Sequence, residues 1–291
     1  MNSKQSLRVG GVPEHFNLPW QLAAERDVFS SKDIDLSWTM YAGGTGAMTQ
    51  ALSNGSLDVA VLLTEGFIAA ASDGLQAHIA KVYIETPLVW GIYTGAHSSI
   101  ENADTFVNRR IAISRFGSGS HLMSMIHASE RNEKIDSAQF EVVNSLHGGV
   151  KALCDSTADI FYWEKFMTRP HVLSGELRLI GEFSAPWSSF LIIVGDEAMR
   201  NKQEAVQQLL QIMNGECISF KQDVHSAIHL SKRFDMSLPE AHAWLQNTQW
   251  NYSYEVSRQI LENAKAALAS VNKCNNQLNL QQFCAPWIQL N

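Results

Sequence analysis

A glycine- and serine-rich loop lies within residues 111–125, between a short apolar run and a return of apolar residues at helical spacing. This pattern predicts a strand, a loop and a helix N-terminus, where backbone N–H groups lack partners within the helix. Gly117 and Gly119 permit a tight turn or the close approach of a bound group, and Ser118 and Ser120 can cap the helix or donate to that group. The loop is therefore a candidate site for a polar group, although an ordinary strand-to-helix turn has the same pattern.

Two glutamates occupy matching places in an internal repeat. Residues 51–65 and 152–164 share an Ala-Leu pair followed, after the same interval, by an Asp and an apolar strand. The first strand delivers Thr64 and Glu65 at its carboxyl end, and the second ends at Glu164. Open α/β sheets bind ligands at this edge, so the repeat predicts two similar lobes with a carboxylate at each sheet edge. Chance similarity of helix-to-strand turns is the alternative.

Metal and nucleophile chemistry have little support. His225 and His229 stand at i, i+4 spacing without the Glu of a His-Glu-x-x-His motif, which favours a pair on a solvated or packed helix face. The four cysteines form no Cys-x-x-Cys unit and no cluster with His, which argues against a zinc site or a disulfide framework. We predict no catalytic residue, no metal and no cofactor.

The composition narrows the partners. The chain has 291 residues, of which 45% are hydrophobic and 18% charged, and 22 Lys and Arg against 29 Asp and Glu give a net charge of −7. This balance predicts a compact protein without a drive toward nucleic acid or anionic membranes. No apolar run reaches the roughly 20 residues of a membrane span. Residues 1–12 contain no signal-peptide core, which predicts a cytoplasmic protein, or a periplasmic or cell-surface one if a leader has been removed.

Alternating strand and helix patterns predict an α/β fold that starts twice. The first series has a helix that reaches residue 29 and a helix after the Gly43-Gly44-Thr45-Gly46 loop. The polar stretch 94–108 looks like a crossing between lobes. The predicted strands are 7–12, 34–41, 57–63, 77–84 and 88–93 in the first series, and 110–114, 140–144 and 159–163 in the second, with helices 120–131 and 148–154.

The rest of the chain returns to the first lobe. Strands are predicted at 176–183 and 189–194, and the second of them carries the chain back. Apolar positions at helical spacing then predict helices at 197–221, 224–234, 238–245 and 254–271, which cover the core. We therefore expect lobe 1 to comprise residues 1–92 and 195–291, and lobe 2 to comprise residues 93–194.

Several motifs together resemble a known family. They are Leu7-Arg8-Val9-Gly10, the 43–46 loop, Gly55-Ser56-Leu57-Asp58-Val59-Ala60, the 111–114 strand with its loop, and Ala158-Asp159-Ile160-Phe161-Tyr162-Trp163-Glu164. They are similar to the substrate-binding proteins of nitrate, sulfonate, taurine and thiamine-pyrimidine ABC transporters. The segment 163–170 resembles a subgroup that includes fungal proteins without a secretion signal. The resemblance implies the two-lobed type II periplasmic-binding-protein fold, with an interlobe ligand cleft that closes by a hinge and a helical C-terminal segment.

The resemblance also implies which residues contact a small-molecule ligand, and it implies a transporter permease as a partner if the protein is exported. The expected ligand-binding residues are Glu14, His15, Phe16, Thr45, Gly46, Thr64, Glu65, Ser114, Arg115, Gly117, Ser118, Gly119, Ser120, Trp163, Glu164 and Trp187.

The charges in this set favour one class of ligand. Arg115 is the only Arg or Lys in these loops, against three glutamates, and carboxylates around a buried sulfonate or nitrate would be costly. We therefore expect an amine-bearing or pyrimidine-like ring that stacks on Phe16 or Trp163 and hydrogen-bonds to a Glu. A phosphate or carboxylate at its other end would occupy the loop 117–120.

Two other classes of function stay open. Some relatives of this fold are enzymes of thiamine-pyrimidine or menaquinone biosynthesis, so a cytoplasmic enzyme of thiamine-pyrimidine or related cofactor biosynthesis is the alternative. His15, His121 and His147 lie near predicted loops, but their spacing defines no catalytic set. A ligand sensor or scaffold that signals through lobe closure is the third possibility.

Overall fold

The structure, a computed structural model, describes residues 4–291. Residues 1–3, which the sequence prediction includes in lobe 1 and in the segment without a signal-peptide core, lie outside the described residues. Strands and helices alternate through the first two thirds of the chain, and helices dominate the last third. The strands are β1 (Gln5–Gly11), β2 (Ile34–Met40), β3 (Val59–Leu63), β4 (Ala77–Ile84), β5 (Val89–Gly95), β6 (Ile111–Ile113), β7 (Phe140–Val142), β8 (Ile160–Glu164), β9 (Leu177–Ser184), β10 (Phe190–Gly195), β11 (Glu255–Val256) and β12 (Gln289–Leu290).

The helices pack on the sheets and form the C-terminal segment. They are α1 (Leu18–Glu25), α2 (Gly44–Ser53), α3 (Thr64–Ser72), α4 (Gly119–Glu130), α5 (Leu146–Cys154), α6 (Lys165–Leu173), α7 (Asp196–Asn201), α8 (Gln203–Gln222), α9 (Ser226–Phe234), α10 (Leu238–Asn247) and α11 (Arg258–Ser270).

Two five-stranded sheets of the same design form two lobes. The strand orders are β2-β1-β3-β10-β4 and β7-β6-β8-β5-β9. In the first sheet β1 is parallel to β2 and β3, whereas β10 is antiparallel to its neighbours β3 and β4. In the second sheet β6 is parallel to β7 and β8, and β5 is antiparallel to β8 and β9. The predicted two-lobed α/β fold is confirmed.

The antiparallel strands are exchanged between the lobes. The chain passes from β4 in the first sheet to β5 in the second through residues 85–88, and returns from β9 to β10 through residues 185–189. The sequence prediction placed the first crossing at 94–108 and ended lobe 1 at residue 92, which would divide β5. Strands buried in either sheet have the same apolar pattern, so composition does not indicate which sheet β5 joins.

The internal repeat has a structural basis in two matching arginine–aspartate pairs. The Arg8 backbone N–H and guanidinium both donate to the Asp58 carboxylate, and the Asp58 N–H donates back to the Arg8 carbonyl. Arg110 and Asp159 make the same set of bonds in the second lobe, with Nη2 to Oδ1 at 2.8 Å. In each lobe the pair joins the first of the three successive parallel strands, or the residue before it, to the residue that precedes the third.

Two helices differ most from the prediction, which also extended the first helix to residue 29 and began the last one at residue 254, before β11. The predicted helix 197–221 is divided at Lys202, whose Nζ bonds to the Ser6 carbonyl at 2.9 Å and to Asp58 Oδ2 at 3.0 Å. Helix α6 was not predicted, and Pro170, a residue that disfavours helix interiors, lies inside it. The Glu164 side chain caps α6 by accepting a hydrogen bond from the Met167 N–H at 2.7 Å.

The C-terminal segment covers an exposed sheet edge. Cys284 pairs with Ile79 and Trp250 with Ile84, both on β4, and Trp287 Nε1 donates to the Ala80 carbonyl at 2.9 Å. These contacts extend the first sheet beyond its edge strand, which would otherwise present unpaired backbone groups.

The Arg–Asp pairs predict unequal contributions to stability. Burial alone would raise the pKa of Asp58, but hydrogen bonds from Arg8 and Lys202 hold it below its usual range. We expect Asp58→Asn to lower the free energy of unfolding by about 2 kcal/mol, and Asp159→Asn by about 1 kcal/mol because its pair is more exposed. Denaturant unfolding measures both values. Asp155→Asn, which breaks a surface pair with Lys151, is the control and should have almost no effect; an equal loss in all three variants would contradict the prediction.

Candidate functional site

A cavity of about 230 Å³ lies between the lobes at the carboxyl ends of their parallel strands. Both lobes contribute to its wall, together with Leu88 of the first crossing. The lining residues are Val12, Pro13, Glu14, Ala42, Gly43, Gly44, Thr45, Leu63, Leu88, Trp90, Ser114, Arg115, Ser118, Gly119, Ser120, Ser145, Leu146, His147, Trp163, Glu164, Met167 and Phe190.

The antiparallel strands begin at the cavity. Trp90 near the start of β5 pairs with Glu164 at the end of β8, and Phe190 at the start of β10 pairs with Leu63 at the end of β3. An antiparallel strand starts where its parallel neighbours end, so each crossing places an aromatic side chain beside the predicted binding edge.

The glycine–serine loop forms one wall, as the sequence predicted. Ser118 caps α4, and its hydroxyl lies 3.0 Å from that of Ser120, which accepts a hydrogen bond from the Ser114 N–H at 3.0 Å. Gly117 has a positive φ of 79°, which favours glycine. A Cβ at Gly119 would lie 2.4 Å from the Trp90 indole of the same lobe and 2.9 Å from Leu63 of the first lobe, so a larger residue here would displace side chains of both lobes.

Arg115 reaches from the second lobe to the glycine loop of the first. Its guanidinium covers the backbone of Gly43 and Gly44, and a Cβ at Gly46 would lie 2.6 Å from its Nε. Within residues 4–291 it has no hydrogen-bond or ion-pair partner, and burial lowers its pKa. An arginine stays charged in proteins, and here it lies beside the positive N-terminus of α2. An anionic group would complement both charges.

Two carboxyl groups on the wall have raised pKa values. Burial raises the pKa of Glu14 to about 7. Burial, followed by repulsion from Glu14, raises the pKa of Glu164 to about 8. Near neutral pH the pair therefore holds at least one proton, and the wall carries less negative charge than two carboxylates would give.

Nine of the sixteen residues predicted to bind ligand lie on the cavity wall: Glu14, Thr45, Ser114, Arg115, Ser118, Gly119, Ser120, Trp163 and Glu164. The wall does not include His15, Phe16, Gly46, Thr64, Glu65, Gly117 or Trp187.

The residues away from the wall have other contacts. Trp187 Nε1 donates to Glu65 Oε2 at 2.9 Å, and both side chains are buried. Thr64 Oγ1 donates to the Ser188 carbonyl at 2.5 Å. The Phe16 ring packs against Phe190, with centroids 5.0 Å apart, so the predicted stacking surface is part of the core. Thr64 and Glu65 are the first two residues of α3, which begins directly after β3, and neither lies on the cavity wall.

Sequence reasoning missed several parts of the wall: Val12 and Pro13, Leu63, Leu88 and Trp90, residues 145–147, Met167 and Phe190. Leu88 and Trp90 were missed because the first crossing was placed too late in the chain. Residues 145–147 form the N-terminus of α5, where Ser145 accepts a hydrogen bond from the Gly148 N–H. The Gly148-Gly149 pair in the second repeat is the signal that could have identified them, since it matches the 43–46 loop of the first.

The described residues contain neither a metal-binding cluster nor a membrane-spanning helix. Among residues 4–291, no group of three or more His, Cys, Asp or Glu side chains is arranged to hold a metal ion. None of the helices described is long and apolar enough to cross a bilayer.

The raised pKa of Glu164 predicts a pH-dependent stability. The folded protein keeps this proton to about pH 8, whereas an unfolded chain loses it near pH 4.5, so the free energy of unfolding falls as the pH rises through this interval. Glu164→Gln removes that loss. Relative to the wild type, we expect the variant to gain up to about 1.4 kcal/mol per pH unit.

Thermal unfolding of the ligand-free protein between about pH 5 and about pH 8 measures the difference. The wild type alone would not isolate Glu164. Burial lowers the pKa values of His15 and His121 to about 3 and about 4, so these histidines make the free energy of unfolding rise with pH at the lower end of the range. The difference between the variant and the wild type removes their contribution. Replacement of the exposed Glu101 by Gln is the control. A pH-independent difference between Glu164→Gln and the wild type would contradict the assignment.

Comparisons with known proteins agree with this architecture. Residues 90–183 match a family model described as Ca3427-like PBP. The structure of the Candida albicans CA3427 gene product, reported to have the generic periplasmic binding protein fold, is similar with a TM-score of 0.82 and 23% identity, over 94% of this chain and 98% of that one. No curated protein sequence matches the chain.

Two bacterial structures share the fold at lower identity. The alkanesulfonate-binding protein SsuA from Xanthomonas axonopodis pv. citri, bound to MOPS, has a TM-score of 0.80 and 14% identity over all of both chains. A ligand-binding component of an ABC-type import system from Staphylococcus aureus has a TM-score of 0.72 and 13% identity over 97% of both chains. The resemblance inferred from the sequence is thus confirmed: the chain has the type II periplasmic-binding-protein fold, and its residues 90–183 match the Ca3427-like family.

Proposed function

We propose that this protein binds a small polar metabolite with an amine-bearing or pyrimidine-like ring in the interlobe cavity, as a solute-binding-protein-like module whose lobes close on a hinge. One observation carries the proposal: the same cavity wall contains the carboxyl groups of Glu14 and Glu164 and the guanidinium of Arg115, which has no partner among residues 4–291. A ligand with donors at one end and an anionic group at the other complements both.

The carboxyl pair suits a protonated amine or aminopyrimidine. A protonated amine that displaces a proton from one of these carboxyl groups would pair with the resulting carboxylate, and their attraction is strong where water is largely excluded. The third glutamate expected at the cavity, Glu65, is held by Trp187, which leaves two carboxyl groups to interact with the ligand. Two carboxyl groups on the wall repel an anionic end of the ligand less than the three expected from the sequence would.

The aromatic wall suits a flat ring. Trp163 is half-buried and Trp90 is buried, and both line the cavity together with Leu63 and Leu88. Pockets for small molecules combine such apolar surfaces with a few placed polar groups. Trp163 and Trp90 therefore replace Phe16 as the proposed stacking surfaces.

The proposed cellular role depends on whether the protein is exported. Ligand-binding components of ABC import systems share this fold, so an exported form would deliver its ligand to a transporter permease from the periplasm or cell surface. Without a leader, the same module would bind its ligand in the cytoplasm.

An enzyme of thiamine-pyrimidine or related cofactor biosynthesis is the second candidate. The observation that favours it is the pair of carboxyl groups with pKa values of about 7 and about 8, which are suited to proton transfer near neutral pH. Recovery of the added ligand in an altered form, detected by mass spectrometry, would support the enzyme; recovery unchanged would support binding.

Ligand binding should raise thermal stability. A ligand present at 100 times its Kd raises the free energy of unfolding by about 2.7 kcal/mol. We therefore expect the hydroxymethyl aminopyrimidine that thiamine contains to raise the melting temperature by several degrees. Its analogue without the amino group should give a smaller shift. Glu164→Gln should weaken the amino compound about tenfold and leave the analogue nearly unchanged. No shift with this pair or with a wider panel of amines and nitrogen heterocycles would refute the proposal.

Arg115 should recognise an anionic end. The phosphate ester of the same aminopyrimidine is expected to bind more tightly than the alcohol, and Arg115→Gln should remove that difference, at a cost of at least about tenfold in Kd for the ester. Titration calorimetry with both compounds gives the values. Arg109→Gln, on the outer side of the second lobe, is the control. If Arg115→Gln weakened both compounds equally, Arg115 would support the closed structure and not the ligand.

A further inference from the structure

The imidazole of His15 is buried without a hydrogen-bond partner. The side chain is fully buried, and neither ring nitrogen has a partner within residues 4–291. Its ring packs against Phe16 and Trp244 of the first lobe at centroid distances of 4.6 and 4.5 Å, and against Phe166 of the second at 5.9 Å. Buried polar groups are nearly always paired, so an unpaired imidazole in an aromatic cage requires an explanation.

One carboxyl oxygen faces this imidazole. His15 Nε2 lies 3.7 Å from Glu164 Oε1, which is too long for a hydrogen bond. The other oxygen of the same carboxyl, Oε2, is held at 2.7 Å by the Met167 N–H at the start of α6. Glu164 is thus fixed at one oxygen, and an approach of about 0.7 Å would bring the second within hydrogen-bond distance of the ring.

We propose that His15 is a positioning residue for Glu164: its neutral imidazole donates the Nε2 proton to Oε1 whenever Glu164 is ionised, which favours a cationic ligand over a neutral one. The choice of ligand rests on the function proposed above, but the hydrogen bond does not. Burial lowers the pKa of His15 to about 3, so the ring stays neutral. A neutral donor stabilises the carboxylate without cancelling the charge that attracts the ligand, whereas an imidazolium would compete with it.

The surrounding charges are consistent with this role. Glu14 raises the pKa of Glu164 and Lys165 lowers it, while the Lys165 ammonium pairs with Glu182. The Tyr93 hydroxyl donates to the Lys165 carbonyl at 3.3 Å.

The charged groups of α9 and α10 near the cage are engaged elsewhere. Arg233 pairs with Glu25, and Glu240 pairs with Arg169. Both carboxylates, Glu25 and Glu240, are therefore paired with an arginine and not with His15.

A ligand-free experiment tests the hydrogen bond. Long-range ¹H–¹⁵N spectra of the His15 ring should show the proton on Nε2 from about pH 6 to about pH 9, and the Nε2 resonance should move with a midpoint near that of Glu164. In Glu164→Gln the movement should disappear. A ring protonated only on Nδ1, or one that is unaffected by the titration of Glu164, would overturn the proposal.

A pair of substitutions tests the preference for a cation. His15→Phe preserves the aromatic packing without a donor and should weaken the hydroxymethyl aminopyrimidine about tenfold, and its analogue without the amino group less than about threefold. His15→Gln restores a donor and should recover most of the affinity.

His127→Phe, at a buried histidine of the second lobe that bonds to Tyr162, is the matched control and should leave Kd unchanged. Equal weakening of both compounds by His15→Phe would refute the preference. If neither compound binds the wild type, the proposed function fails, and the ligand-free spectra still decide the role of His15.

Discussion

The exchange of one strand between the two sheets determines where everything else lies. β5 and β10 each run antiparallel between parallel strands, so each must start at the carboxyl edge where its neighbours end. The segments that lead into them therefore pass between the lobes beside the cavity. This geometry brings Trp90 and Phe190 to the cavity wall and limits any relative movement of the lobes to bending of two short connections.

Burial determines which of the ionisable groups on the cavity wall carry a charge. Removing carboxyl groups from water favours their neutral forms, which explains the raised pKa values of Glu14 and Glu164. Arg115 cannot release its proton in the same way, so its charge persists without a partner among the described residues. The cavity is consequently asymmetric, with titratable acids and a permanent cation. Under the proposed function, such a cavity would discriminate ligands by the placement of their charges as well as by their shape.

Local patterns were sufficient for most of the helices and strands and for several residues of the cavity wall. The glycine–serine loop, the repeat that leads to Glu164 and the 43–46 loop each depend on neighbouring residues, and all three lie at the cavity as expected. The errors involve contacts between distant segments. Glu65 matches Glu164 in the repeat, but Trp187 from the second crossing holds it away from the wall. Phe16 lies next to Glu14 in sequence, yet it packs in the core against Phe190.

The sequence by itself determined the alternation of strands and helices, the two matching lobes and the glycine–serine loop, because periodicity, glycine positions and helix caps act within a few residues. Only the tertiary structure decided which sheet receives β5 and β10, which glutamates face the cavity, and that His15 lies beside Glu164 without a hydrogen-bond partner in the described part of the chain. These outcomes depend on packing between residues far apart in the chain and on the burial that packing produces. Burial sets the charge of Glu14, Glu164 and His15, and no local pattern encodes it.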